Sequence, residues 1–126
     1  MLVRILIADD SQAVRHSLHG LLEQNPNWKV CVEAVDAPDA IIKAQQFKPD
    51  IIILDFIIPG MTGVEAARVL GRVLPSTPIL LLPLEITTQL LEQARNVGIK
   101  GVVQKTDIRG MVSGVGALLR QKTFCN

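Results

Sequence analysis

Three carboxylates and one lysine follow short apolar runs of this sequence, at points where a buried strand would give way to a loop. Asp9 and Asp10 follow the first run, Asp55 follows another and Lys105 follows a third. Carboxylates held close together repel one another and need a compensating cation. Lys105 supplies one positive charge, and hard oxygen ligands completed by water suit Mg²⁺, with Mn²⁺ as a possible substitute.

Each of these residues has an ordinary structural explanation when it is considered alone. Asp9–Asp10 suits a turn with a helix cap, Asp55 suits a turn, and most lysines are solvated surface charges. Taken together they indicate chemistry, because a carboxylate can attack a phosphoryl group and form an aspartyl phosphate. That transfer needs mainly positioning and charge neutralisation. The cluster therefore predicts Asp55 as the nucleophile, with the other two carboxylates holding a metal ion and Lys105 neutralising charge.

Five short aliphatic runs alternate with segments of helical periodicity, which must position these side chains. The runs lie at 3–8, 29–35, 50–54, 78–82 and 100–104. The alternation predicts a three-layer α/β domain with a parallel sheet and right-handed crossovers. Ligands in such sheets bind at the carboxyl ends of the strands. The acidic residues and the lysine are therefore expected at one edge of the sheet.

Composition restricts the class of protein further. The chain has 126 residues, which fits one domain over 1–126, and it is 48% apolar and 20% charged, which argues against disorder. Its net charge of +1 offers no basic excess for direct binding of nucleic acid. No apolar run is long enough to cross a membrane. Cys31 and Cys125 share no motif spacing and are expected to be free thiols, so a cytoplasmic protein is predicted.

Three stretches, "ILIADDS", "IIILDFIIPGMTGVE" and "GIKGVVQKT", resemble the response-regulator receiver domain of bacterial two-component systems. The resemblance covers the chain from Val3 to about Leu119. It implies a flavodoxin-like (βα)5 fold with a doubly wound five-stranded parallel sheet of order 2-1-3-4-5. The sequence after Lys105 lacks the usual proline, which resembles receivers that precede helix-turn-helix output domains. An output domain of that kind, absent from this sequence, would be the part that binds DNA.

The same resemblance implies a role for each residue of the cluster. Asp55 would accept a phosphoryl group from a sensor histidine kinase or a phosphotransfer protein, and Lys105 would bind the phosphoryl oxygens. Asp10 and Asp55 would ligate Mg²⁺ directly, Asp9 would act through water, and the backbone carbonyl of Ile57 would be a further ligand. Self-phosphorylation and self-dephosphorylation at Asp55 are the most catalysis expected, so the chain is not predicted to be an enzyme.

Three positions depart from the family pattern. Pro83 stands where the fourth strand normally ends in Thr or Ser, Leu84 stands at a position that is normally small, and Val102 replaces an aromatic residue. Pro83 has no hydroxyl to bond a phosphoryl group, and Val102 cannot move in and out of a pocket as a ring does. Leu84 is expected to crowd the mouth of the acidic pocket.

These departures leave more than one function open. The leading hypothesis is a phosphoacceptor receiver that signals to a transcription regulator, and a homodimer is compatible with it. The alternative is a pseudo-receiver that acts as a phosphorylation-independent protein-interaction domain. A Mg²⁺-dependent phosphohydrolase is disfavoured, because Ile57 stands where such enzymes carry a second Asp.

Overall fold

The computed structural model describes residues 2–125, in which helices and strands alternate along most of the chain. In chain order the elements are β1 (Val3–Ala8), α1 (Gln12–Leu22), β2 (Trp28–Ala34), α2 (Ala37–Phe47), β3 (Ile51–Asp55), β4 (Ile57–Ile58), β5 (Met61–Thr62), α3 (Gly63–Val73), β6 (Ile79–Leu82), α4 (Thr88–Asn96), β7 (Gly101–Val102), α5 (Ile108–Leu119) and β8 (Phe124–Cys125). No helix among these residues combines the length and apolarity that a membrane span requires.

The main sheet is parallel and has the strand order β2-β1-β3-β6-β7-β8. Its first five strands are the five aliphatic runs, in the predicted order 2-1-3-4-5, so the doubly wound fold is confirmed. The sheet is covered on both faces because its central strands β1, β3 and β6 contribute side chains to two apolar clusters. Leu6 and Ile52 belong to one cluster, and Ile5 and Ile53 to the other. This burial explains why the strands are apolar without alternation.

A sixth strand, β8, extends the sheet beyond the five that the sequence predicts. The backbone turns back after α5 at Gln121, which adopts a left-handed φ of 61°. Phe124 N then donates a hydrogen bond to Lys100 O at 2.9 Å. The strand is only two residues long, which is too short for apolar periodicity to reveal it.

Side-chain caps start the helices at the positions that the sequence indicates. Ser11 accepts a hydrogen bond from Val14 N, and Asp36 accepts one from Asp39 N. Such caps satisfy backbone N–H groups that have no partner within the helix. Because α1 starts at Gln12, the Asp9–Asp10 segment is confined to a short turn between β1 and this helix.

Gly63 lets α3 begin against the strand that carries Asp55. A Cβ added at Gly63 would lie 2.6 Å from the Asp55 carbonyl oxygen and 2.9 Å from Phe56 Cα, both of which are backbone atoms. We expect Gly63→Ala to lower the free energy of unfolding by about 2 kcal/mol, because the backbone must shift to admit the methyl group. Urea denaturation measures the change.

Gly20 provides the matched control for this substitution. It lies within α1, and a Cβ added there meets no atom within 4 Å. Gly20→Ala is therefore expected to raise stability by about 0.5–1 kcal/mol through helix propensity. A Gly63→Ala protein as stable as the Gly20→Ala protein would contradict the close packing of α3 on β3.

Candidate acidic site at the carboxyl edge of the sheet

The parallel register of β1 and β3 brings the first two aspartates together. Ala8 is paired with Leu54, so Asp9 and Asp55, the residues that follow, lie side by side at the carboxyl ends of these strands. Asp10 is exposed at the start of the next turn. One carboxylate oxygen from each of the three aspartates lies within 4.8 Å of the others, which is close enough for them to share a metal ion.

Lys105 reaches the same site from the segment that follows β7. Its Nζ atom donates a hydrogen bond to Asp55 Oδ2 at 2.7 Å and lies 3.0 Å from Asp9 Oδ2. Asp9 and Asp55 are 1% and 4% exposed, so this ion-pair network is shielded from water. The structure therefore brings together the four charged residues that the sequence singled out.

Burial and charge shift the pKa values of two groups in this network. Desolvation raises the pKa of Asp55, with a further contribution from the Asp9 carboxylate, although the bond from Lys105 acts in the opposite direction. Burial by itself would lower the pKa of Lys105, but its hydrogen bond to Asp55 and the charges of Asp55 and Asp9 outweigh burial and raise that pKa. At neutral pH the lysine is thus firmly charged, whereas the charged form of Asp55 is costly.

The oxygens of Asp9 differ in how well they are satisfied. Oδ1 accepts a hydrogen bond from Ser11 N at 2.9 Å. Oδ2 is buried and receives no hydrogen bond of good geometry from any group in the described residues, despite its proximity to the Lys105 ammonium. A buried, under-satisfied carboxylate oxygen facing two other carboxylates is what a hard cation, or water bound to one, would complete. The donor set therefore fits Mg²⁺.

The two residues that follow β6 are held by hydrogen bonds to their backbone carbonyls. Pro83 is buried, and its carbonyl accepts a hydrogen bond from Lys105 N at 2.7 Å. The next carbonyl, Leu84 O, accepts one from Gln104 Nε2 at 3.0 Å. Thr87 Oγ1 accepts a hydrogen bond from Leu90 N and so caps α4. The Thr87 hydroxyl oxygen is therefore engaged at the start of this helix.

An apolar groove of about 380 Å³ lies beside the acidic residues. It is lined in part by Phe56, Ile57, Pro83, Leu84 and Leu90. Ile57 and Leu84 are each 63% exposed, so the groove presents two large apolar side chains to solvent. Phe56 is half-buried against the core and lines this groove.

The third atypical position, Val102, lies within the sheet. It is 4% exposed and belongs to the same apolar cluster as Leu81 and Ile99. A valine in this position fills core volume with a short aliphatic side chain, where the family carries an aromatic ring.

Sequence reasoning missed a second group of polar residues next to the site. Arg15 NH1 donates a hydrogen bond to Asp9 O at 2.7 Å, and Arg15 Nε donates one to Glu33 Oε1 at 3.0 Å. The second carboxylate oxygen of Glu33, Oε2, lies 3.1 Å from His19 Nδ1. The sequence carries no signal that distinguishes Arg15, one arginine within a helical segment, from a solvated surface arginine.

Comparisons with known proteins agree with this fold and site. Residues 5–113 match the family described as "Response regulator receiver domain". Response regulator protein VraR from Staphylococcus aureus is 30% identical over 106 residues, which are 84% of this chain and 51% of VraR. The chain thus spans about half the length of the curated relatives that it matches.

Two solved structures show the same relationship in three dimensions. A two-component response regulator of the LuxR family from Aurantimonas sp. SI85-9A1 has a TM-score of 0.93 at 29% identity, over 98% of this chain and 89% of that one. The response regulator domain of Thermotoga maritima CheB has a TM-score of 0.84 at 25% identity, over 96% of each chain. The chain therefore belongs to the response regulator receiver domain family, whose members are signalling domains rather than catalysts.

Proposed function

We propose that Asp55 is the phosphoacceptor of this receiver domain, in a reaction that depends on Mg²⁺. The observation that carries the proposal is the buried Asp55 carboxylate with the Lys105 ammonium 2.7 Å from its Oδ2 atom. A nucleophilic carboxylate and a fixed cation for the incoming charge thus occupy one small site. Asp9 and Asp10 supply the remaining acidic ligands, and the backbone carbonyl of Ile57 is proposed as a further one.

In the proposed step a carboxylate oxygen of Asp55 attacks the donor phosphorus. An O–P bond forms to Asp55 while the bond from phosphorus to the donor breaks, and the donor leaves with the electrons of that bond. Lys105 then shifts its contact from the aspartate to the phosphoryl oxygens, whose negative charge it balances. When bound, Mg²⁺ would supply the further neutralisation that phosphoryl transfer requires.

The donor and the output follow from the family. We assign the donor to a sensor histidine kinase or a phosphotransfer protein, and the output to transcription regulation through a segment outside this sequence. Residues 1–126 are taken as one domain that acts in the cytoplasm and does not itself bind nucleic acid. A homodimer and Mn²⁺ as a substitute for Mg²⁺ are part of the same proposal.

Beryllofluoride, a mimic of the phosphoryl group, tests whether the site both binds and responds. Mg²⁺ and beryllofluoride are added to the ¹⁵N-labelled protein and the backbone amide shifts are recorded. The proposal predicts changes at Asp55 and Lys105 that extend into α4, through the carbonyls of Pro83 and Leu84. Absence of binding would contradict it, and would favour the alternative of a phosphorylation-independent interaction domain. Amide shifts confined to the acidic site would support Asp55 as the phosphoacceptor, but would show that phosphorylation does not change the structure of α4.

Leu84 provides a quantitative prediction on the entry of phosphoryl donors. Its exposed side chain follows Pro83 in the groove that Phe56 also lines, at a position that is small in the family, so its removal is expected to open the approach to Asp55. We expect Leu84→Ala to accept phosphoryl groups from acetyl phosphate several-fold faster than the wild type, as followed by intact-mass spectrometry. Ile57→Ala is the comparison, because Ile57 is equally exposed in the same groove. Equal rates for the Leu84→Ala and wild-type proteins would rule out the obstruction.

A further inference from the structure

Arg15 holds the turn that connects the acidic site to α1. Its guanidinium joins two separate elements, since NH1 donates to the carbonyl of Asp9 at 2.7 Å while Nε donates to the Glu33 carboxylate of β2 at 3.0 Å. The Arg15 side chain is only 12% exposed, so the fork is largely shielded from solvent. Arginine suits such a position because its donors have a fixed planar geometry.

The carbonyl that Arg15 binds belongs to the peptide group between Asp9 and Asp10. The orientation of this peptide determines where the backbone of Asp10 lies and in which direction its side chain leaves. Asp9 is fixed independently, because its own N–H donates to Ala34 O and its Oδ1 accepts from Ser11 N. Asp10 is exposed, and no side-chain bond of its own is found among the described contacts, so its placement depends on this peptide.

Glu33 is fixed in turn by a second interaction. Its Oε2 atom lies 3.1 Å from His19 Nδ1, and His19 Nε2 lies 3.2 Å from Glu23 Oε2. The arginine is therefore held against β2 and, through Glu33 and His19, against the later turns of α1. This bracing distinguishes Arg15 from a flexible surface cation that merely happens to lie nearby.

We propose that Arg15 is a positioning residue for the metal site, acting through the Asp9–Asp10 peptide and not by contact with the metal. The proposal rests on the proposed function, in which Asp10 is a direct ligand of Mg²⁺. Residues that orient metal ligands typically change metal affinity by about 10–100-fold when they are replaced. Nothing in the proposed role of Asp55 as nucleophile requires Arg15, so this role is an additional one.

Electrostatics alone predicts the opposite result, which makes the proposal testable. Removal of a positive charge near a divalent cation strengthens binding of that cation. Loss of a positioning bond weakens it. Arg15→Gln removes both the positive charge and the two-pronged guanidinium that bonds Asp9 and Glu33. Arg15→Lys keeps the positive charge but cannot make both of these bonds in the same planar geometry. The positioning role predicts weaker Mg²⁺ binding in both variants, whereas a purely electrostatic role predicts tighter binding in the first and no change in the second.

The experiment is a titration of the purified protein with Mg²⁺ alone by isothermal calorimetry, repeated with Mn²⁺ by electron paramagnetic resonance. We expect Arg15→Gln and Arg15→Lys to raise the metal Kd about tenfold. Arg109→Gln removes an exposed arginine four residues beyond Lys105 and serves as the charge control, with an unchanged or slightly lower Kd. Glu33→Gln keeps the Arg15 charge but weakens the interaction that holds its guanidinium and also removes one negative charge; both effects predict a smaller increase in Kd, and folding is less at risk.

Two failures can be told apart. If the wild type does not bind Mg²⁺, or binds it equally well after Asp55→Asn, the proposed metal site is wrong and the role of Arg15 falls with it. If the wild type binds through Asp55 but Arg15→Gln and Arg15→Lys bind as tightly or more tightly, only the positioning role is overturned. Circular dichroism and urea denaturation in EDTA establish that each variant is folded at the temperature of the titration.

Discussion

Replacement of Lys105 by methionine is expected to lower the free energy of unfolding of the metal-free protein by about 3 kcal/mol at neutral pH. The ammonium is the positive charge in contact with Asp9 and Asp55, both of which are buried. Methionine keeps much of the side-chain volume but leaves these two carboxylates facing each other without compensation. Removal of one partner of a buried pair is costly because the remaining charge stays desolvated.

The stability that the Lys105→Met protein loses relative to the wild type should become smaller as the pH falls. Lys105 lowers the pKa of Asp55, so its removal raises that pKa beyond the elevation that burial already causes. The folded variant then binds a proton that the unfolded chain has released, and its unfolding free energy rises as the pH falls. The gap between variant and wild type should narrow in mildly acidic buffer. In the wild type, the raised pKa of Lys105 also contributes to the free energy of unfolding. This contribution is complete below the ordinary lysine pKa and is lost as the pH rises through the higher pKa of the folded state.

Urea denaturation in EDTA across a range of pH measures both effects. Lys100→Met is the matched control, because Lys100 is exposed and such surface substitutions change stability by at most about 0.5 kcal/mol. Addition of Mg²⁺ should recover stability in the Lys105→Met protein, since the cation can replace the missing charge. A variant as stable as the Lys100→Met control in EDTA would show that the lysine does not compensate the aspartates.

Replacement of Asp55 by asparagine is expected to abolish phosphoryl acceptance while stabilising the metal-free protein. The amide cannot serve as the nucleophile, so loss of acceptance should be complete. The stabilisation follows from the pKa of Asp55, which burial and the Asp9 carboxylate raise. At neutral pH the charged form costs stability relative to a neutral one, and asparagine is neutral at nearly the same shape. Function at this position is thus retained at the expense of stability.

Saturation with Mg²⁺ should make the wild type more stable than the Asp55→Asn protein, which is the reverse of the order expected without metal. A ligand that binds only the folded state adds about 2.7 kcal/mol at a hundredfold excess over its Kd. The wild type gains this contribution, and the asparagine variant gains less because an amide oxygen is a poorer ligand for Mg²⁺. Asp10→Asn separates the two effects, since Asp10 is exposed and its neutralisation should weaken metal binding with little change in metal-free stability. Destabilisation of the metal-free protein by Asp55→Asn would contradict the unfavourable charge at this position.

The strands and the charged cluster could be predicted from the sequence because each depends on local information. β1 at Val3–Ala8 coincides with an apolar run, and parallel strands in three layers must place Asp9 and Asp55 at one edge. The pairing of Lys105 with both aspartates then follows from charge balance. Helices cover both faces of the sheet, so its main strands are continuous apolar runs that can be recognised from the sequence alone.

Features that depend on contacts between distant segments could not be predicted in the same way. The β4–β5 hairpin is two residues long on each side, and its turn depends on Gly60 at a φ of 101° close to Pro38. The bonds from Arg15 to Asp9 and Glu33 join the turn after β1, the strand β2 and the helix α1. An arginine in a helical pattern gives no sign of which backbone carbonyl it will reach.

The loop after β6 shows a different limit of sequence reasoning. Pro83 and Leu84 reveal that a hydroxyl and a small residue are missing, but they do not reveal what holds the loop instead. The structure places Pro83 O against Lys105 N and Leu84 O against Gln104 Nε2. These bonds connect the loop to the segment that carries the lysine, which is the reason to look for amide shifts there when a phosphoryl mimic binds.

The most direct test of the central claim is to locate the phosphoryl group after incubation with acetyl phosphate and Mg²⁺. Intact-mass spectrometry followed by reductive trapping and peptide mapping identifies the modified residue. The account predicts one phosphoryl group per chain on Asp55, absent when EDTA replaces Mg²⁺ and absent in the Asp55→Asn protein. No modification of the folded wild type, or a phosphoryl group on another residue, would contradict the assignment of Asp55 as the phosphoacceptor.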